Sequence, residues 1–291
     1  MSTLRLLFPQ WQGGVNPDYV LGAELLAVIA PPSDSDELVR VPVSHDFTAP
    51  LGTQYGVDKY ADLIQQIDAC SAILQEKQPD RVITFGGDCA ISQSPFAYLS
   101  EKYGDKLGAL WLDAHPDIAT VEQSSHLHEM VLGNLIGEGS LAFSAKVPVP
   151  LTPNRVMYAG LIAKELRPID DGVWRHHIRY ATPEDLVDNS QLLLNWLEEE
   201  QISVLAVHFD LDVLSPDDFR SIYPAEPHTN IADFPAAIGQ LTLDKIVQIL
   251  SDLSVKTDLV GLSIAEHLPW DALNLRKALS QIDIFKASER I

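Results

Sequence analysis

The sequence is short of several things. It has two cysteines, Cys70 and Cys89, in 291 residues, too few for a disulfide framework. Basic residues are scarce, with 20 Lys+Arg against 41 Asp+Glu and a formal charge of −21. That balance excludes the clustered Lys/Arg expected of a nucleic-acid binder or of a protein that sits on anionic membrane surfaces. No apolar run reaches the roughly 18 residues of a membrane-spanning helix. Residues 1–9 lack a charged segment followed by a long apolar run and a small-residue cleavage site, so no secretory signal is read there. Ser/Gly linkers, low-complexity tracts and long charge runs are missing too, and Glu198-Glu199-Glu200 reads as a solvated helix end. These absences predict a soluble, cytoplasmic protein in which residues 1–291 form a single domain, long enough to bury its own core.

Apolar runs of strand length alternate with segments of helical period along the whole chain. Arg81-Val82-Ile83-Thr84-Phe85 follows an amphipathic stretch over 60–78, and 107–112 follows a helix-like 94–103. Runs at 155–159, 202–209 and 259–264 repeat the pattern, with helices expected near 128–137, 191–200, 243–253 and 271–282. Strands apolar on nearly every residue, each followed by a helix, predict a parallel sheet covered on both faces. In such sheets ligands sit beyond the carboxyl ends of the strands.

Those ends carry the chemistry. They read Gly86-Gly87-Asp88-Cys89, Asp113-Ala114-His115-Pro116-Asp117, His208-Phe209-Asp210-Leu211-Asp212 and Ala265-Glu266-His267. Residues two apart on an extended segment share a face, which predicts that Asp210 joins Asp212, and that Asp113, His115 and Asp117 point together if their strand runs on. So many carboxylates and imidazoles at one rim would repel one another without a cation among them. Oxygen-rich donors with one or two imidazoles suit Mn²⁺ or a similar divalent ion. Bridging carboxylates allow two ions a few Å apart, which would hold and ionise one water as a nucleophile. Taken singly, Asp88 and Asp217 read as helix N-caps, and Cys70 as buried packing.

Gly86-Gly87-Asp88, Asp113-Ala114-His115-Pro116-Asp117 and Phe209-Asp210-Leu211-Asp212 with Pro216 resemble the three signatures of the arginase/agmatinase (ureohydrolase) family, in the family's order, over about residues 75–280. The resemblance implies an α/β fold, a three-layer αβα domain with an eight-stranded parallel sheet. It also implies a binuclear manganese centre, two Mn²⁺ per chain, that hydrolyses a small guanidino substrate to urea and an amine, in a homo-oligomer, usually a trimer or hexamer. By the same resemblance Asp113 and Asp210 contact both metals, Asp117 the first, and His115 and Asp212 the second. His128 is similar to the family's proton-shuttling histidine, and Glu266 to the acid that binds the guanidinium, a sound pairing of carboxylate with planar cation.

The sequence departs from the family at several points. The first motif normally ends in His, a ligand of the first metal, and here Cys89 stands there. Thiolate suits Zn²⁺ or Fe²⁺ better than Mn²⁺. The first site is then weakened, or takes another divalent metal, or is completed by another group, for which His208, two residues before Asp210, is the candidate. Ala119 replaces an Asn that holds an amino acid's carboxylate, and 125–129 and 223–228 are rewritten, so plain arginine is not the expected substrate. Extra carboxylates at Glu129 and Glu226 point to a cationic or differently substituted guanidine.

Two further readings stay open beside the hydrolase. One is a metal-poor, non-catalytic relative that binds a ligand or partner chain, suggested by Cys89 and the rewritten loops. Against it, an unused site has no physical reason to keep so many like charges. The other makes Cys89 a nucleophile, although neighbouring carboxylates would disfavour its thiolate.

Overall fold

The computed structural model describes residues 1–285; the last six positions of the predicted domain lie outside the described residues. Its strands are β1 (Thr3–Phe8), β2 (Glu37–Arg40), β3 (Arg81–Gly86), β4 (Leu107–Leu112), β5 (Val156–Ala159), β6 (Arg179–Ala181), β7 (Val204–Asp210) and β8 (Asp258–Ala265). They form one eight-stranded sheet in the order β2-β1-β3-β8-β7-β4-β5-β6. Every pairing is parallel.

Alternation along each strand splits the core into two layers. On β4, Leu107, Ala109 and Trp111 join β7 Ala206 on one face, where helices Tyr60–Lys77 and Gln93–Tyr103 contribute Cys70, Leu74, Phe96 and Leu99. Leu110 and Leu112 join β7 Leu205 and Val207 on the other, under helices Tyr19–Ile29, Gln191–Glu199 and Leu243–Ser254. Each such fully buried Leu, Val or Phe contributes roughly 1.5–3 kcal/mol, so strands apolar on both sides favour the sandwiched position. The expected three-layer αβα architecture with its eight-stranded parallel sheet is what the chain forms. Among the described residues no helix is long and apolar enough to cross a membrane.

Some boundaries differ from expectation. The helix anticipated over 128–137 is a 3-10 turn, Leu127–Met130, followed by a short α-helix, Val131–Leu135. Its first free N–H groups, on Leu132 and Gly133, donate to the Asp117 carbonyl at 2.9 and 3.3 Å, which fixes the helix start against the metal-motif loop. The edge strands β2 and β6 and the leading β1 and helix Tyr19–Ile29 are additions to the predicted set.

Candidate metal centre

The middle of the sheet, β3-β8-β7-β4, brings its carboxyl ends to one spot. After β3 the chain turns sharply at Gly87, where an added Cβ would stand 1.6 Å from the Gln10 carbonyl oxygen. Only glycine allows that approach. Asp88 then accepts the backbone N–H groups of Gly13 (2.8 Å), Gly14 (3.2 Å) and Ala90 (3.0 Å). It caps the 3-10 turn Cys89–Ser92 and ties the loop after β1 to it. Burial raises its pKa to about 6 in spite of those bonds. Asp217, the other predicted cap, begins none of the described helices; its neighbour Asp218 accepts from the N–H of Leu243 instead.

The 3-10 turn points Cys89 into the centre. Its thiol donates to Asp210 Oδ2 at 2.8 Å and lies 3.5 Å from Glu266 Oε1. Burial first, then the charges of Asp117, Asp210 and Asp113, push the Cys89 pKa well above the ordinary thiol value. A thiol so held is a poor free nucleophile, which counts against the cysteine-hydrolase reading.

Carboxylates surround it. Asp113 Oδ1 accepts the His115 N–H at 2.7 Å, and Asp210 Oδ1 accepts the Asp212 N–H at 2.7 Å. Here the sequence expectation is corrected. β4 stops at Leu112 and β7 at Asp210, so neither motif runs on as a strand; each leading aspartate folds the chain into a tight turn, and Asp117 takes a left-handed φ of 49°. Period-two alternation therefore does not align 113, 115 and 117, nor 210 with 212. The turns bring them together instead.

His115 is oriented from behind. Its Nε2 lies 3.1 Å from the Ala237 carbonyl, which can only accept, so Nε2 carries the hydrogen. Nδ1 then faces Asp212 Oδ2 at 3.3 Å and Asp113 Oδ1 at 3.5 Å. Against desolvation, Asp212 holds the His115 pKa well above its ordinary value, and His115 lowers that of Asp212. Desolvation raises Asp113 to about 6 and takes Asp117 and Asp210 well above the carboxylate range, with like charge from their neighbours adding to it.

The arrangement is one that cations complete. Asp113 Oδ2, Asp117 Oδ2, Asp212 Oδ1 and His208 Nε2 are buried without a hydrogen-bond partner among the described residues. Such an atom costs about 1–3 kcal/mol when left bare. Cys89, Asp113, Asp117 and His208 offer donor atoms within 4.8 Å of one another, and so do Asp113, His115 and Asp212. Two adjoining donor sets that share Asp113 fit a pair of divalent ions.

Above them opens a cleft of about 160 Å³. Its floor holds Cys89, His115, Asp117, Asp210 and Asp212, its flank Glu266 and His128, and its wall Tyr19, Tyr223 and Phe234. Glu266 is buried, has a left-handed φ of 63° and is anchored by its N–H on the Gly87 carbonyl at 2.7 Å. Desolvation lifts its pKa to about 8. His128 Nδ1 lies 3.5 Å from Glu266 Oε1, and desolvation lowers the His128 pKa to about 4.

The expected extra acids take other places. Glu129 lines the cleft but is bound by Arg167 Nη1 at 2.7 Å and by Ser124 Oγ. Glu226 is exposed and does not line the cleft. Ala119 is buried in an apolar cluster with Val57 and Phe143. Sequence reasoning missed Tyr19, Arg167, Phe234 and Ser92, which carry no motif of their own.

A family model described as Arginase family matches residues 39–270. An arginase of Entamoeba histolytica is 29% identical over 47% of this chain and 48% of its own length. Arginase 2 of Arabidopsis thaliana, chloroplastic/mitochondrial, is 26% identical over 71% of this chain and 53% of its own. The chain thus spans about half the length of the curated relatives it matches. A crystal structure of the Entamoeba histolytica arginase, in complex with L-ornithine, superposes with a TM-score of 0.76 at 19% identity, over 96% of this chain and 97% of that one.

Proposed function

The chain belongs to the arginase family, and from that premise we propose that it is a ureohydrolase, a divalent-metal-dependent enzyme that cleaves a guanidino C–N bond to give urea and an amine. The observation that carries this reading is the set of bare, buried donor atoms on Asp113, Asp117, Asp212 and His208 directly beneath a cleft that Glu266 and His128 flank. Asp113 and Asp210 would serve both positions, Asp117 the first, and His115 and Asp212 the second. Mn²⁺ suits the second position. Bound there, the ions supply Lewis acidity and an acidified water as nucleophile.

The chain's own groups do the rest. Glu266 accepts N–H groups of the substrate's guanidinium, and the arriving cation favours the ionised form of a carboxyl that burial otherwise keeps protonated near neutral pH. Water oxygen bonds to the guanidino carbon, the C–N bond to the alkyl nitrogen breaks, and that nitrogen leaves with a proton. His128, held neutral by desolvation, can take a proton at Nδ1 and deliver it to the leaving amine. Tyr19, Tyr223 and Phe234 give the substrate's tail an aromatic wall, and Arg167, which pairs with both Glu129 and Asp170, already engages the Glu129 carboxylate at the mouth. The uninterrupted sheet supports treating the chain as one domain.

The test is urea release from a panel of guanidino compounds by the full chain loaded with Mn²⁺. Release from at least one compound, abolished by chelator, is the expected result. No bound metal and no release from any guanidine would favour the metal-poor, non-catalytic relative.

A further inference from the structure

The imidazole missing from the first motif is not missing from the site. His208 lies on β7, and its ring is stacked on Trp111, its partner in register on β4, with centroids 4.0 Å apart and planes 20° apart. Ser92 Oγ sits 2.8 Å from His208 Nδ1. Held on its face and at one nitrogen, the ring aims Nε2 at the carboxylates, 3.8 Å from Asp113 Oδ2. With Nδ1–H donated to Ser92, Nε2 carries the lone pair, the usual state of a metal-binding imidazole with a supporting partner behind it. Nothing among the described residues satisfies that nitrogen.

We propose that the first metal position is a thiolate–imidazole–carboxylate site, built from Cys89 Sγ, His208 Nε2, Asp113 and Asp117 beside the shared Asp210, and that it takes a softer divalent cation of the zinc or ferrous type than its oxygen-rich neighbour. The reading rests on the proposed metal centre and deepens it. The four donor atoms lie within 4.8 Å of one another. Bonds of about 2.0–2.3 Å to tetrahedral zinc place ligands roughly 3–4 Å apart, so small side-chain adjustments close the site. Ser92 and Cys89 stand at the two ends of one 3-10 turn, Cys89–Ser92. Residues three apart on such a turn eclipse, so a single turn supplies both the thiol ligand and the group that orients the imidazole. The imidazole has moved from the end of β3 to β7, two strands away across β8, and the metal keeps its place.

The full chain, stripped with chelator, is titrated with Co²⁺ as an optical probe. A thiolate-to-cobalt charge-transfer band in the near ultraviolet that saturates at one equivalent per chain is expected. Cys89→Ser should remove that band. His208→Asn should weaken that equivalent at least tenfold and leave the other unchanged. Cys89→His should shift the ratio of bound zinc to manganese at least tenfold toward manganese relative to the parent chain. Two bound cobalt ions without a thiolate band, or unchanged affinity in His208→Asn, overturn the proposal and leave the metal-dependent enzyme standing. No cobalt bound at all overturns both.

Discussion

Cys89 and Asp210 are 121 positions apart in the chain, yet the thiol of one donates to Oδ2 of the other at 2.8 Å. The contact joins the turn after β3 to the end of β7 across the inserted β8. A proton shared between sulfur and carboxylate occupies the place where a cation would bind both, so metal and proton compete for the same pair of atoms.

Asp210→Asn should therefore lower metal content and turnover together, to below about one hundredth of the parent for turnover. Asparagine offers one oxygen and no charge where the proposed shared ligand would use two oxygens. Metal per chain by elemental analysis checks it; full metal content in the variant would move the bridge elsewhere.

Chelation should abolish activity, and addition of divalent metal should restore it. Treatment of the native protein with a thiol alkylator should leave activity intact, because Cys89 is 3% exposed and lies beneath the cleft out of the reagent's reach. Inactivation by the alkylator at a rate typical of a free thiol would revive the cysteine-nucleophile reading.

Glu266→Gln should reduce kcat/KM by about a hundredfold, roughly the value of a charge-assisted hydrogen-bond pair, with metal content unchanged. Steady-state kinetics beside metal analysis separates the roles. A fall in metal content would make Glu266 a ligand rather than the substrate's anchor.

How much of this was legible in the sequence depended on backbone conformation. β4 was found with its true ends because all its residues are apolar and buried on both faces. The edge strand Glu37–Arg40 is largely exposed and carries no apolar pattern, and Arg179–Ala181 is too short to show one. The two-residue rule served for His208 and Asp210, which lie within β7, and failed one step later, where Asp212 enters a turn. Motif residues announced themselves by chemical type. Ser92 and Trp111 did not, because a serine that orients an imidazole looks like any other serine until the ring is placed beside it.

Gly87→Ala should destabilise the fold by more than about 2 kcal/mol, since overpacking against backbone leaves no flexible side chain to yield. The Gln10 carbonyl stands 1.6 Å from the new methyl position. A urea midpoint within error of the parent would show that the loop after β1 can withdraw.

Cys70 gives a pH signature away from the site. It is fully buried against the helix-covered face of the sheet, and burial raises its thiol from 9.0 to about 12. The folded state keeps the proton that the unfolded chain releases above pH 9. Its contribution is therefore complete below pH 9 and falls by about 1.4 kcal/mol per pH unit as pH rises toward 12. Cys70→Ala should cost roughly 1 kcal/mol at pH 7, and the gap should close by pH 10. Parallel stability curves for the two proteins from pH 8 to 11 would contradict it.

The order of strands also sets when the site can exist. β8, residues Asp258–Ala265, pairs with β3 on one side and β7 on the other, so the ends that carry Cys89 and Asp210 come into contact only once the last of the described strands has inserted between them. Long-range closure of that kind is slow. A chain still on the ribosome, or cut short before β8, has all three signatures and no centre in which to use them. Cations held by the completed nest would stabilise the finished fold alone, which makes metal uptake a direct gauge of how many molecules have folded to the end.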